Sequence, residues 1–239
     1  MDVMVLIVPL GIAAGLVSTI AGIGGGLLIT VVLAAVWDPH AALAVTAPAL
    51  LLGTGHRMWL FRRHLVPAAA RRMVVGAVVG AAIGGLVTAA MPGAVIRWLL
   101  LGVTVIAVAR EQGWVRIPLG RSWLTGGGAV VGFVTATTGG GGLILAPLML
   151  AADLRGKTLV ATGAMVACSI HVARIAGYAS TGMFGPADLP DALLLGAAIV
   201  AGNGIGRWLR PRLGEKTCHA ATWVALTGGL LVAAVGLGR

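Results

Sequence analysis

Eight hydrophobic stretches alternate with short polar connections along the chain, at about 3–36, 41–56, 68–90, 94–109, 124–152, 158–176, 189–206 and 219–237. Met73 to Val95 carries no charge over 23 residues and Leu124 to Ala152 none over 29, while Met1 to Trp37 contains only Asp2. A helix rising about 1.5 Å per residue crosses a hydrocarbon core about 30 Å thick with about 20 apolar residues, so several of these stretches are long enough to span. The alternating ten-residue segments of a membrane β-barrel do not occur in the sequence. Helices pair their own backbone polar groups within one segment, which is what lipid demands. The pattern therefore predicts an all-α polytopic membrane protein, and Met1–Pro9, lacking a basic start and a cleavage motif, reads as the beginning of the first membrane segment.

The first and fifth stretches are too long for one simple span, and a glycine cluster interrupts each: Gly22, Gly24, Gly25 and Gly26 in one, Gly139 to Gly142 in the other. Shifted by 116 residues, Gly24–Leu27 falls on Gly140–Leu143, Thr19 on Thr135 and Thr46 on Thr162. A polar break follows each cluster, at Trp37-Asp38-Pro39-His40 and at Asp153 to Lys157, and then a helix rich in small residues. Two repeats are expected, residues 1–109 and 124–239, joined by a basic connection at 110–123. Gly76, Gly80 and Gly84, with Gly202 and Gly206 as their weaker counterparts, have the spacing that lets membrane helices pack closely.

Charge placement separates two architectures. If all eight stretches cross once, the 17 basic residues divide 10 against 7 between the two sides. If the two glycine-interrupted stretches instead enter and leave on one side, the division becomes 14 against 3, with only Arg97, Arg174 and Arg239 opposite. Retention of Lys and Arg on the cytoplasmic side favours the second arrangement. It makes the repeats inverted, with glycine-broken helices or re-entrant hairpins meeting near the midplane, a recurrent transporter plan.

Composition sharpens this picture. Hydrophobic residues are 59% of the chain and charged residues 10%, against roughly 45–50% and about 25% in soluble domains. The net charge of +10 resides in short connections between membrane segments, so it does not point to nucleic acid. Cys168 and Cys218 match no metal spacing, the five histidines are scattered, and the seven acids fall almost entirely in connections. No nucleophilic triad, Walker loop or other enzymatic constellation is legible, and no cofactor is expected.

The glycine clusters carry the functional expectation. Each glycine costs a helix roughly 1 kcal/mol relative to alanine, and a break at membrane depth must face protein, water or ligand. Where a half-helix restarts, its first amides are unpaired and its dipole favours an anion. The candidate substrate-binding residues are accordingly Gly24, Gly25, Gly26, Gly140, Gly141 and Gly142, with Thr46, Thr137, Thr138 and Thr162 as hydroxyl donors. For each threonine, a hydrogen bond to its own helix is the alternative. His171 and Arg174 join the set as basic residues in or near the membrane, as does Asn203, which either binds substrate or joins helices; His56 and Arg57 lie at the corresponding end of the first-half helix. With no acids inside the apolar runs, an anion is a better match than a cation or a carboxylate proton relay.

Gly22-Ile23-Gly24-Gly25-Gly26-Leu27-Leu28 and Gly139 to Leu148 resemble the paired signatures of the TauE/SafE sulfite exporter family, also called the toluene-sulfonate uptake permeases. The resemblance extends through Ala44-Val45-Thr46, Ala161-Thr162-Gly163 and Phe61-Arg62-Arg63-His64. It implies a multi-pass permease of a prokaryotic cytoplasmic membrane. The implied partners are a small inorganic or organic sulfur-containing anion, such as sulfite or a sulfonate, and membrane lipid. Alternating access is the expected mechanism; a selective anion channel and a membrane assembly subunit are the alternatives. The coupling ion, proton or sodium, and the oligomeric state stay open. Pro147 follows the second cluster where the first half has Val31, and Gly-Thr-Ser after the polar break is replaced by Val45-Thr46-Ala47 and Ala161-Thr162-Gly163.

Overall fold

A computed structural model describes residues 3–20, 25–114 and 123–236. Ten α-helices occur among them: α1 Val3–Ile20, α2 Gly25–Val36, α3 Pro39–Phe61, α4 Pro67–Ala90, α5 Gly93–Glu111, α6 Leu124–Thr138, α7 Gly142–Ala151, α8 Gly156–Ser180, α9 Leu189–Leu209 and α10 Glu215–Gly236. The chain is an all-α polytopic membrane protein. Four of the described helices are long and apolar enough to cross a bilayer: Pro67–Ala90, Gly93–Arg110, Gly156–Ser180 and Pro186–Arg212. By contrast, α2 with 12 residues and α7 with 10 reach only about 18 and 15 Å at 1.5 Å per residue, too short to span.

Both long stretches break where the glycines cluster. α6 stops because Gly139 takes a left-handed φ of 69° and returns its N–H to Thr135 O at 2.8 Å, a glycine C-cap that a side chain would strain. A Cβ there would also lie 2.4 Å from Thr30 Oγ1. In the first stretch, a Cβ at Gly25 would lie 2.3 Å from Ala14 O, so α2 lies back against α1; residues 21–24, with Gly22 and Gly24, fall outside the described residues. The polar breaks are helix starts. Asp38 caps α3 by accepting from the amides of His40 (2.8 Å) and Ala41 (3.2 Å), with Pro39 in the first turn.

The helices following these starts are longer than the apolar stretches indicate. α3 runs to Phe61 and α8 to Ser180, so His56, Arg57, His171 and Arg174 sit inside helices rather than at their ends. Arg174 has 0% exposure and is therefore not a snorkelling side chain.

Backbone-close packing ties the bundle together. A Cβ at Gly76, Gly80 or Gly132 would lie 1.9, 2.0 and 2.1 Å from carbonyl oxygens of Thr125, Ala129 and Ala77, locking α4 against α6. Gly15 and Gly202 do the same for α1 and α9, against Ile199 O and Ile12 O at 2.2 Å each. This is the small-residue contact of membrane helices. The contacts advance together along both partners, Met73 to Gly128 and Gly84 to Ala136, Gly11 to Ala198 and Gly206 to Thr19, so each pair runs parallel.

The remaining contacts set the other directions. Gly196 meets Ala49 and Leu52 while Gly53 meets Ile199, so α3 runs parallel to α9. Val66 meets Thr162 and Gly85 meets Gly177, so α8 follows α4. Between the groups, Thr46 touches Arg174 and Thr54 touches Cys168, which makes α3 and α8 antiparallel. One parallel group is thus α1, α3 and α9, and the other, oppositely directed, is α4, α6 and α8. Val75, Val79, Ile83 and Leu86 leave half their surface exposed on the outer side of α4, as expected of a face that meets lipid. Exposed Trp59 and Trp208 lie beneath the guanidinium groups of Arg62 and Arg212, at 4.9 and 3.9 Å, an arrangement suited to a membrane–water boundary.

Candidate functional site

The two helix breaks meet. A Cβ at Gly26 would approach Gly139 O at 3.4 Å, and one at Gly140 would approach Leu27 Cδ1 at 3.1 Å. Beside this junction lies a cavity of about 120 Å³, several times the roughly 10–15 Å³ that one water needs. Gly25, Gly26 and Leu27 at the start of α2 and Gly142 at the start of α7 border it. α7 receives no side-chain cap, so the orphan amides of its first turn are available to a bound group. Both half-helices bring positive dipole ends to the same space.

Ser18, Thr54, Arg57, Thr135 and His171 give the cavity its polar lining, and among the described residues no carboxylate borders it. Leu145, Met149, Leu159, Ala164 and Ala167 add apolar lining. Leu50, Thr54 and Arg57 follow helical spacing along α3, as do Val160, Gly163, Ala167 and His171 along α8.

Two arginines serve the ends of the interrupted helices. Arg57 Nη1 donates to Ser18 O at 3.1 Å, and Arg174 Nη1 donates to Thr135 O at 2.9 Å. Ser18 and Thr135 lie in the last turns of α1 and α6, at dipole ends that are negative, and the Thr135 carbonyl accepts from Arg174 as well as from the Gly139 amide. Arg174 is closed off further: Nη2 donates to Thr46 Oγ1 at 3.3 Å, the guanidinium lies 5.8 Å from the Tyr178 ring, and the Tyr178 hydroxyl donates to Ala136 O. Arg57 instead borders the cavity; the Nε atoms of both arginines are buried without a hydrogen-bond partner.

The residues singled out in the sequence therefore divide. Gly25, Gly26, Gly140, Gly142 and His171 come together on the cavity, while Gly24 lies outside the described residues. Gly141 packs against its own hairpin, where a Cβ would lie 1.8 Å from Thr135 Oγ1. Thr137 donates to Phe133 O at 3.1 Å, and Thr138 donates to Val134 O at 2.7 Å while accepting from the Gly140 amide at 3.2 Å. Thr162 accepts the Val66 amide at 3.2 Å and so anchors the start of α4. Asn203, fully buried, accepts from Thr19 at 2.9 Å and donates to Gly53 O at 2.9 Å, joining α1, α9 and α3. Thr46 and Arg174 form the cap on α6 just described.

Ser18, Thr54 and Arg57 are cavity residues that the glycine motif does not mark. The signal for Arg57 is its place one helical turn beyond Thr54 on the same face of α3. Among the described residues, no cluster of metal-ligating side chains occurs.

Neither a curated protein nor a solved structure matches the chain. Paired glycine breaks, buried half-helices and a multi-pass apolar bundle nevertheless accord with a family model described as "Sulfite exporter TauE/SafE", which matches residues 7–237, nearly the whole chain. The chain belongs to the TauE/SafE sulfite exporter family.

Proposed function

We propose that the protein is a permease for small sulfur oxyanions or organosulfonates, binding the anion at the paired helix breaks and moving it by alternating access. The observation that carries this reading is the convergence of two half-helix N-termini, Arg57 and His171 on one cavity that no carboxylate among the described residues borders. Dipole ends and a guanidinium replace the hydration that the anion gives up, and they act in a poorly screened interior. Ser18, Thr54 and Thr135 add hydroxyls, and the apolar lining accommodates the organic part of a sulfonate.

Helix direction supports an inverted arrangement of the two halves. α1 and α3 run opposite to α6 and α8, their counterparts in the second half, and α2 and α7 turn back from the midplane as re-entrant arms. The connections at 57–72, 110–121, 155–157 and 207–216 then share one side, with 14 of the 17 basic residues. Each parallel group mixes helices of both halves and is locked by glycine contacts. The α3–α8 boundary between the groups is the plane along which they rock, exposing the cavity to one side and then the other.

Transport by the purified protein in liposomes tests the reading, with sulfite, sulfate, thiosulfate, taurine and sulfoacetate as the panel. Uptake of sulfite or a sulfonate above that of empty vesicles is expected. Failure of every anion to move or bind would refute the permease, and currents far above carrier turnover would identify a channel.

A further inference from the structure

Arg57 and Arg174 hold equivalent places in the two halves, yet their surroundings differ. The helix starts align at a separation of 117 residues, Gly25 with Gly142 and Pro39 with Gly156. In that register Arg57 falls on Arg174 and Ser18 on Thr135. Each guanidinium reaches back 39 residues to its carbonyl, Arg57 to Ser18 O at 3.1 Å and Arg174 to Thr135 O at 2.9 Å. The cavity itself is lined by pairs in the same register, Leu50 with Ala167 and Thr54 with His171.

Two further pairs make the difference. Thr46 accepts from Arg174 Nη2 at 3.3 Å, whereas its counterpart Gly163 lines the cavity and has nothing within 4 Å of its Cβ position. Tyr178 covers the Arg174 guanidinium and donates to Ala136 O, whereas its counterpart Phe61 has no hydroxyl and is partly exposed. The cavity follows α3 from Leu50 to Arg57, toward its C-terminal end, and α8 from His171 back to Leu159, toward its N-terminal end. Because these helices are antiparallel, it extends toward one face, that of the 57–72 connection. On the far side Thr46, Arg174 and Tyr178 are all fully buried. Among the described residues the partners of Arg174 are neutral, and its Nε has none. A guanidinium so placed is costly, and a buried donor left without a partner calls for an explanation. Its twin stands on the anion cavity, which points to an anion that reaches Arg174 when the far side opens.

We infer that Arg174 forms a second anion half-site, used when the permease opens to the far face. Rocking along the α3–α8 boundary parts Thr46 from Arg174, and the same sulfur oxyanion or sulfonate is then held by the Arg174 guanidinium while Arg57 is covered. Thr46 is the latch that closes the far side, and Gly163 leaves the twin position unlatched. This inference rests on the permease reading above and names the residue that meets the anion on the other side of the membrane.

The test measures entry from each face in sealed vesicles of the two orientations, with whichever of sulfite, sulfate, thiosulfate, taurine and sulfoacetate the wild type moves fastest. The near face is the one from which Arg62→Cys is labelled. Arg174→Gln should raise the half-saturating concentration about 10- to 100-fold for entry from the far face and by less from the near face. Arg57→Gln should reverse that order. A role limited to capping α6 would instead lower the amount of active carrier, and with it the maximal rate, from both faces alike. Half-saturating concentrations that shift equally on both faces, or not at all, overturn the inference and leave the permease intact. Wild-type protein that moves no anion of the panel overturns the permease reading and this inference with it. A second measurement keeps both arginines and does not depend on Arg174→Gln folding. Thr46→Cys, in a chain that also carries Cys168→Ala and Cys218→Ala, should react with an impermeant thiol reagent from the far face. Labelling from the near face, or from neither while uptake persists, overturns the inference.

Discussion

Gly163 lines the cavity and Gly141 packs inside the neighbouring hairpin, and adding one methyl group to each should shift stability in opposite directions. At Gly141 a Cβ would lie 1.8 Å from Thr135 Oγ1 and 2.6 Å from Val131 O, inside the hairpin of α6 and α7. The Thr135 hydroxyl is held by Val131 O at 2.6 Å, so it cannot simply rotate away, and α7 must move off α6. Overpacking of this kind costs about 1–3 kcal/mol. At about 2–4 °C per kcal/mol for a chain of this size, Gly141→Ala should lower the melting temperature by roughly 2–12 °C. Gly163, inside α8, has nothing within 4 Å of its Cβ position. Gly163→Ala should therefore gain up to about 1 kcal/mol of helix propensity and melt roughly 2–4 °C higher. Adding Thr135→Ala to Gly141→Ala should recover part of the loss, because the two sites touch and their effects do not add. Thermal unfolding of the purified variants in one detergent, followed by intrinsic tryptophan fluorescence, measures all three. Equal melting temperatures for Gly141→Ala and wild type would refute the packed hairpin, and a loss at Gly163 as large as that at Gly141 would refute the open cavity wall.

Three further outcomes are expected. Arg57→Gln removes the guanidinium that borders the cavity and should cut anion uptake by about 10- to 100-fold, the equivalent of a charged hydrogen bond worth about 1.5–3 kcal/mol; uptake equal to wild type in a folded variant would remove Arg57 from the site. Asn203→Ala gives up two interhelical hydrogen bonds worth about 0.6 kcal/mol each, so melting should fall by a few degrees while uptake per folded molecule persists; loss of uptake without loss of stability would instead place Asn203 in substrate binding. Single cysteines at Arg62 and Lys157 should react with an impermeant thiol reagent from the same side of the membrane, and labelling from opposite sides would eliminate the paired re-entrant arms.

Much of the architecture was legible along the chain because it is local. Uncharged runs longer than a bilayer crossing admit little except helix, and consecutive glycines weaken a helix wherever it packs. The breaks before Gly25 and after Thr138, and the helix starts at Asp38 and Arg155, follow from these residues alone. The site was less legible, because a side chain's destination depends on the helix that comes to lie against it. Arg57 and Arg174 both looked like basic residues at helix ends, yet packing sets one on the cavity and closes the other against Thr46, Thr135 and Tyr178.

The same division holds for the polar residues. Sequence alone established a helical membrane protein with two glycine-interrupted segments, since backbone pairing and helix propensity act within one segment. Only tertiary structure assigned Thr162 to the start of α4 and Asn203 to the junction of α1, α3 and α9, and only it brought the two breaks to one cavity. Those outcomes depend on parallel and antiparallel helix registers between residues far apart in the chain, which glycine contacts fix in space and no local pattern encodes.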